Sequence, residues 1–176
     1  PLGFAIGMSR ETMLAINPLI QIFKPVSPLA WLPIALAIFN LADPSAIFVI
    51  FITSLWPTII NTALGVSSVS KDYLDVARVL EMPRWRRITK IILPASLPYI
   101  FTGLRISLGI AWLVIVAVEM LTGGIGIGFF VWDEWSRLNL SSVFLAVLVI
   151  GLTGLLLDFA VSKIEALVTH RPRKAT

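Results

Sequence analysis

Three apolar runs, residues 46–66, 97–121 and 141–161, limit what this chain can become. Each is long enough to cross the roughly 30 Å hydrocarbon core of a bilayer as a helix. In lipid every backbone N–H and C=O must find its partner inside the protein, which helices achieve and open chain does not. The composition agrees: 57% of residues are hydrophobic, 14% are charged and the mean hydropathy is +0.92. A soluble domain carries about 25% charged residues. The chain therefore reads as an all-α, polytopic transmembrane helical bundle, a single domain over residues 1–176.

Several chemistries are excluded or disfavoured at once. No cysteine is present, which rules out disulfides, thiolate metal sites and cysteine nucleophiles. The one histidine, His170, lies in a basic tail and reads as solvated, because a metal site needs partners that the tail lacks. The stretch Pro1–Met8 is apolar from the first residue, without a charged leader or a cleavage signal. It reads as the end of a span whose beginning lies upstream, so one or more N-terminal spans are expected to be missing.

Taken in order, Ser9–Lys24 is mixed, with Asn17-Pro18 expected to break any helix, and reads as a short helix in the membrane interface. Leu29–Leu41 is apolar but, at 1.5 Å per residue, only roughly 20 Å long. It either borrows residues before Pro28 or packs as a short helix inside the bundle. Asp43-Pro44 supplies a turn before the run 46–66, which contains Pro57. After the run 97–121, the glycines at 123, 124, 126 and 128 read as a flexible turn, and residues 129–140 as an aromatic, polar segment. The final run holds Asp158 and precedes the basic tail.

Between the spans lies a basic, amphipathic insert, Ser70–Pro94, which holds six of the fourteen Lys and Arg residues. Ser70 is suited to cap a helix whose first turn carries Asp72. Tyr73, Val76, Ala77 and Leu80 recur at helical spacing. Pro83 is placed to start a second helix, with Trp85, Ile88, Ile91 and Ile92 on one face and Arg84, Arg86, Arg87 and Lys90 off it. The expectation is a helix–turn–helix lying along the membrane surface. Placing this insert in the cytoplasm puts residues 9–27 and the C-terminal tail inside as well, and leaves only Arg137 of the basic residues outside. That is the distribution the positive-inside rule requires. It accounts for the net charge of +4 through anionic lipid, without nucleic acid.

The insert also carries a motif. Asp75-Val76-Ala77, three residues, Glu81, nine residues, then Ile91-Ile92-Leu93-Pro94 resembles the E-A-A-x3-G-x9-I-x-L-P loop of ABC-importer permeases. Asp75 stands for the Glu, Val76 for the first Ala and Glu81 for the Gly. Pro18-Leu19-Ile20, Leu97–Arg105 and Ala117–Met120 look like the nitrate/sulfonate/taurine branch of these permeases. Phe129–Trp135 and Gly151–Asp158 look most like cyanobacterial nitrate permeases and their bicarbonate relatives. The resemblance implies a bacterial inner-membrane subunit that pairs with a second copy, with two cytoplasmic ATP-binding subunits and with an external substrate-binding protein. It implies that Asp75, Ala77, Arg78, Glu81, Pro83, Trp85, Arg86, Ile91, Leu93 and Pro94 form a coupling loop that docks into a groove on the ATPase. ATP and magnesium would be bound by that partner and no cofactor by this chain, which has no Gly-x4-Gly-Lys-Ser/Thr loop.

Polar residues within spans are functional candidates by default. Thr53, Asn61, Thr102, Arg105, Trp112 and Glu119 are taken as candidates for the substrate pathway. Arg105 has snorkelling as its alternative, and Glu119, which repels an anion, has structural pairing or an outer gate. Thr and Asn also serve as interhelical hydrogen-bond partners. No catalytic constellation is visible, so the reading is transport rather than enzymatic, and the resemblance implies a small anion, nitrate (and nitrite), as substrate. Bicarbonate and sulfonates are the alternatives within the class, and an ion-gradient-driven transporter, a channel or a structural subunit those outside it.

Overall fold

The computed structural model describes residues 1–169, so the basic tail and His170 lie outside the described residues. Within them the chain is a succession of helices with no strand. These are α1 (Leu2–Met8), α2 (Arg10–Phe23), α3 (Pro28–Phe39), α4 (Ala42–Ser67), α5 (Lys71–Val79), α6 (Arg84–Arg87), α7 (Leu93–Thr122), α8 (Ile127–Ser136) and α9 (Leu140–Val168). A π-helical turn, Ile88–Ile92, joins α6 to α7 without a break. Three continuous helices are long and apolar enough to cross a membrane: Ala42–Ser67, Arg84–Thr122 and Leu140–Val168. A fourth crossing is available only as a bent pair, Glu11–Phe23 with Pro28–Phe39, at 91°.

The α4–α7 pair is the spine. Apolar burial gives helices little reason to associate in lipid, so close packing must do it, and small residues permit close approach. Gly65 of α4 faces Ser96 and Tyr99, and Gly103 of α7 faces Pro57, Thr58 and Asn61. The buried positions of α7 are Ser96, Gly103, Ser107, Val114 and Val118. Their spacing alternates seven and four, an eleven-residue period that nearly matches the untwisted helix. One turn beyond Gly103, Thr58 Oγ1 lies 2.7 Å from Ser107 Oγ, and Ser107 donates in turn to the Ser54 carbonyl.

Two apolar clusters attach the other elements to the spine. Leu32 and Ala35 of α3 pack with Val49, Val114 and Val118. Ile6 of α1 and Ile20 of α2 pack with Ile59 and Ala63. Helix α9 has a single buried residue, Ala146, and presents Phe144, Leu148 and Leu155 outward.

Three expectations are corrected. Helix α2 runs straight through Asn17-Pro18, because losing the one bond to the Leu14 carbonyl does not outweigh the turns on either side. The end of the Ser9–Lys24 segment does not stay at one end of the bundle. Phe23 stacks on Trp56, and the α2–α3 corner therefore lies about 16 Å from the Ser67 end of α4, near its middle. Apolarity alone did not reveal this, since the corner is short and carries Lys24. Finally, the second half of the insert is not a separate surface helix. It continues into α7, and the π-helical turn, in which the Leu93 N–H bonds the Ile88 carbonyl, carries the chain past Pro94.

Candidate functional site

Helix α5 begins as its sequence requires, with the Ser70 hydroxyl accepting from the Asp72 N–H at 3.3 Å. Its end is a Schellman motif: the Met82 N–H reaches the Ala77 carbonyl at 3.0 Å and the Glu81 N–H the Arg78 carbonyl at 2.9 Å. This geometry demands a left-handed residue at Glu81, which has φ 48°. The Gly-type turn is thus kept with a residue that pays about 1 kcal/mol to adopt it. Glu81→Gly is accordingly expected to stabilise the protein by about 1 kcal/mol, read as a raised thermal midpoint of the purified protein in detergent. A lowered midpoint would show that the Glu81 side chain contributes more than its backbone costs.

The loop residues named from the sequence run from α5 through its turn and α6 into the start of α7. Ala77 is buried, while Asp75 and Arg78 are exposed and paired at 2.9 Å. Pro83 is the extended N-cap of α6. Val79 is 84% exposed, Trp85 76% and Tyr73 67%, with Val76 and Leu80 also outward and Arg84 and Arg86 beside them. Ile91 and Pro94 line a cavity of about 370 Å³ with Tyr73, Lys90 and Thr169, and Leu93 is partly exposed beside them.

The six intramembrane candidates are not brought to one place. Thr53, Asn61 and Thr102 donate to carbonyls four residues back on their own helices, Val49, Pro57 and Pro98. Arg105 lies between two carboxylates of α9, with Nη2 2.6 Å from Glu165 and Nε 3.2 Å from Asp158, the latter at an angle unsuited to hydrogen bonding. Trp112 donates its indole N–H to the Ile150 carbonyl at 3.1 Å, so it too ties α7 to α9. Glu119 accepts the Gly128 N–H at 2.8 Å, placing its charge at the positive end of α8. A Cβ at Gly126 would collide with that carboxylate, so the glycine-rich turn is a fitted connection rather than a loose one.

Glu165 and Ser107 were not singled out from the sequence. Glu165 follows Asp158 by seven residues, hence on the same face of α9, and that spacing was a readable signal. Ser107 had none, being one small residue among many in an apolar run.

Residues 1–173 match the family model of the binding-protein-dependent transport system inner membrane component. The chain is 52% identical over 173 residues to the nitrate import permease of Leptolyngbya laminosa, covering 98% of this chain and 62% of that protein. It is 49% identical over 173 residues to the nitrate import permease of Synechocystis, covering 98% and 63%. It is also 51% identical over 157 residues to the bicarbonate transport system permease of Synechococcus elongatus, covering 89% and 56%. The chain thus spans about three fifths of the length of the curated relatives it matches.

Proposed function

Because this chain belongs to the family of binding-protein-dependent transport system inner membrane components, we propose that it is a membrane-spanning subunit of an ATP-driven importer that carries nitrate into the cell. The observation that carries this reading is the insert Lys71–Arg87, whose Tyr73, Val76, Val79 and Trp85 face outward beside Arg84 and Arg86. An apolar row flanked by arginines suits a groove with a carboxylate rim on a partner helix-binding surface. The partner is a cytoplasmic ATP-binding subunit, two per transporter, which binds and hydrolyses ATP with magnesium. A second copy of this chain completes the membrane pathway, and a substrate-binding protein delivers the anion on the far side. The insert and the C-terminal tail face the cytoplasm, while the α7–α8 turn and Arg137 face outward, in keeping with the positive-inside rule. Nitrate is favoured by the relatives at 52% and 49% identity, and the relative at 51% keeps bicarbonate as the second reading.

The test is uptake of labelled nitrate by the complete transporter in proteoliposomes. ATP is expected to drive accumulation, and Trp85→Ala combined with Arg86→Ala is expected to lower uptake and binding-protein-stimulated ATP hydrolysis together, each about tenfold, while the subunits still insert. Nitrate flux that ignores ATP overturns the importer reading. Normal ATPase stimulation in the double variant overturns the docking role of the insert.

A further inference from the structure

The corner between α2 and α3 leaves its backbone unfinished. Within residues 24–27 the Lys24 and Val26 N–H groups bond back to the Ile20 and Phe23 carbonyls, and the Ser27 carbonyl accepts from Ala30. Pro25 has no N–H to give. Among the described residues, the Ser27 N–H and the carbonyls of Lys24, Pro25 and Val26 have no partner. The Phe23–Trp56 stack sets this corner beside the middle of α4. There it borders an open cleft of about 300 Å³, lined also by Thr53 and Trp56 of α4 and by Ile110, Leu113 and Val114 of α7. Hydrocarbon offers such groups nothing to bond, so irregular backbone at that depth occurs only where protein covers it or encloses water with it. Lipid is therefore the wrong neighbour for this cleft. Apolar surface continues from it, because Ile106, Ile110 and Leu113 recur on one face of α7, with Leu113 67% exposed and Ile106 45%. Helix α9 differs. It is one unbroken helix, presents Phe144, Leu148 and Leu155 outward, and bonds its Thr153 hydroxyl to its own Val149 carbonyl. Nothing on that face asks for more than lipid.

We propose that a second copy of this chain covers the cleft. The two copies meet about a twofold axis, each turning its α2–α3 corner and the Ile106–Leu113 face of α7 to the other, while the outer face of α9 meets lipid. The proposal rests on the importer reading above, which calls for a second copy, and adds which face that copy takes. Hydrogen bonding favours this occupant. Unpaired carbonyls call for donors, and the exposed Lys24 and Ser27 side chains of the same corner carry them. A corner facing its own copy is therefore self-complementary, as a twofold contact has to be.

Residues 1–176 hold no cysteine, so single cysteines report on this contact once any elsewhere in the transporter are replaced. The complete transporter is reconstituted in nanodiscs with Ser27→Cys, Ile106→Cys or Leu113→Cys, and with Leu148→Cys or Leu155→Cys for comparison. A fluorescent thiol label at each position is challenged with lipids brominated along the acyl chain. Emission is expected to be lost at positions 148 and 155 and kept at 106 and 113. A short thiol cross-linker is expected to join two copies of this chain from at least one of positions 27, 106 and 113, singly or in mixed pairs, and from neither α9 position. Quenching at 106 and 113 equal to that on α9 puts lipid on the cleft and overturns the proposal. Protection at 106 and 113 with no copy-to-copy link from any of the three gives the cleft to another segment or subunit, and overturns it as well. Links from the α9 positions alone do the same. If ATP drives no uptake by the assembled transporter, the importer reading falls, while the links still decide where the two copies meet.

Discussion

Gly103→Leu is expected to prevent recovery of a folded protein, and Gly103→Ala to cost about 1–3 kcal/mol. A Cβ at Gly103 would lie 2.9 Å from Asn61 Cβ and 3.0 Å from both the Pro57 carbonyl oxygen and Thr58 Cα. Two of those atoms are backbone and cannot rotate aside, so α7 must lift away from α4. Lifting also parts Ser107 from Thr58 and from the Ser54 carbonyl, one turn along. Each lost interhelical hydrogen bond in a membrane adds roughly 1 kcal/mol. The contrast lies six residues on. A Cβ at Gly109 meets nothing within 4 Å, so Gly109→Ala should be neutral or stabilise the helix by up to about 1 kcal/mol. The midpoint of SDS or thermal denaturation of the purified protein reads both. Equal effects at the two positions would show that α4 and α7 do not meet at Gly103.

Arg105→Ala should lower stability by about 2 kcal/mol, because Asp158 and Glu165 would be left on one face of α9 without their shared cation. The larger penalty of a fully buried pair does not apply, since Arg105 is 37% exposed and Asp158 52%. Arg105→Ala, Asp158→Asn and Glu165→Gln combined should recover most of the loss, because no charge remains unpaired. The same denaturation midpoint measures it. A triple variant as unstable as the single one would locate the loss in Arg105 packing rather than in its charge.

The fold was legible where one physical rule acts alone. The runs 46–66, 97–121 and 141–161 became α4, α7 and α9, because lipid leaves an apolar run of that length no alternative to a helix. The Ser70 cap and the spacing to Pro94 were equally plain. Legibility failed where two helices decide together. Gly103 and Gly109 look alike in the sequence, and only α4 distinguishes them. Arg105 looked like a group for an anion because its partners are more than fifty residues away in the chain. The α2–α3 corner looked interfacial because Ser9–Lys24 mixes charged and apolar residues, and its place beside the middle of α4 emerges only from the stack of Phe23 on Trp56.

The continuity of Arg84–Thr122 through its π-helical turn has a mechanical consequence. Gly103, one of the tight contacts of α7 on α4, lies nineteen residues from each end of that rod. Each arm is about 28 Å long. A tilt of about 10° about that fulcrum carries the two tips about 5 Å in opposite directions. A push on Arg84 and Trp85 would then be felt, reversed in sense, at Thr122 and the turn that Glu119 holds against α8.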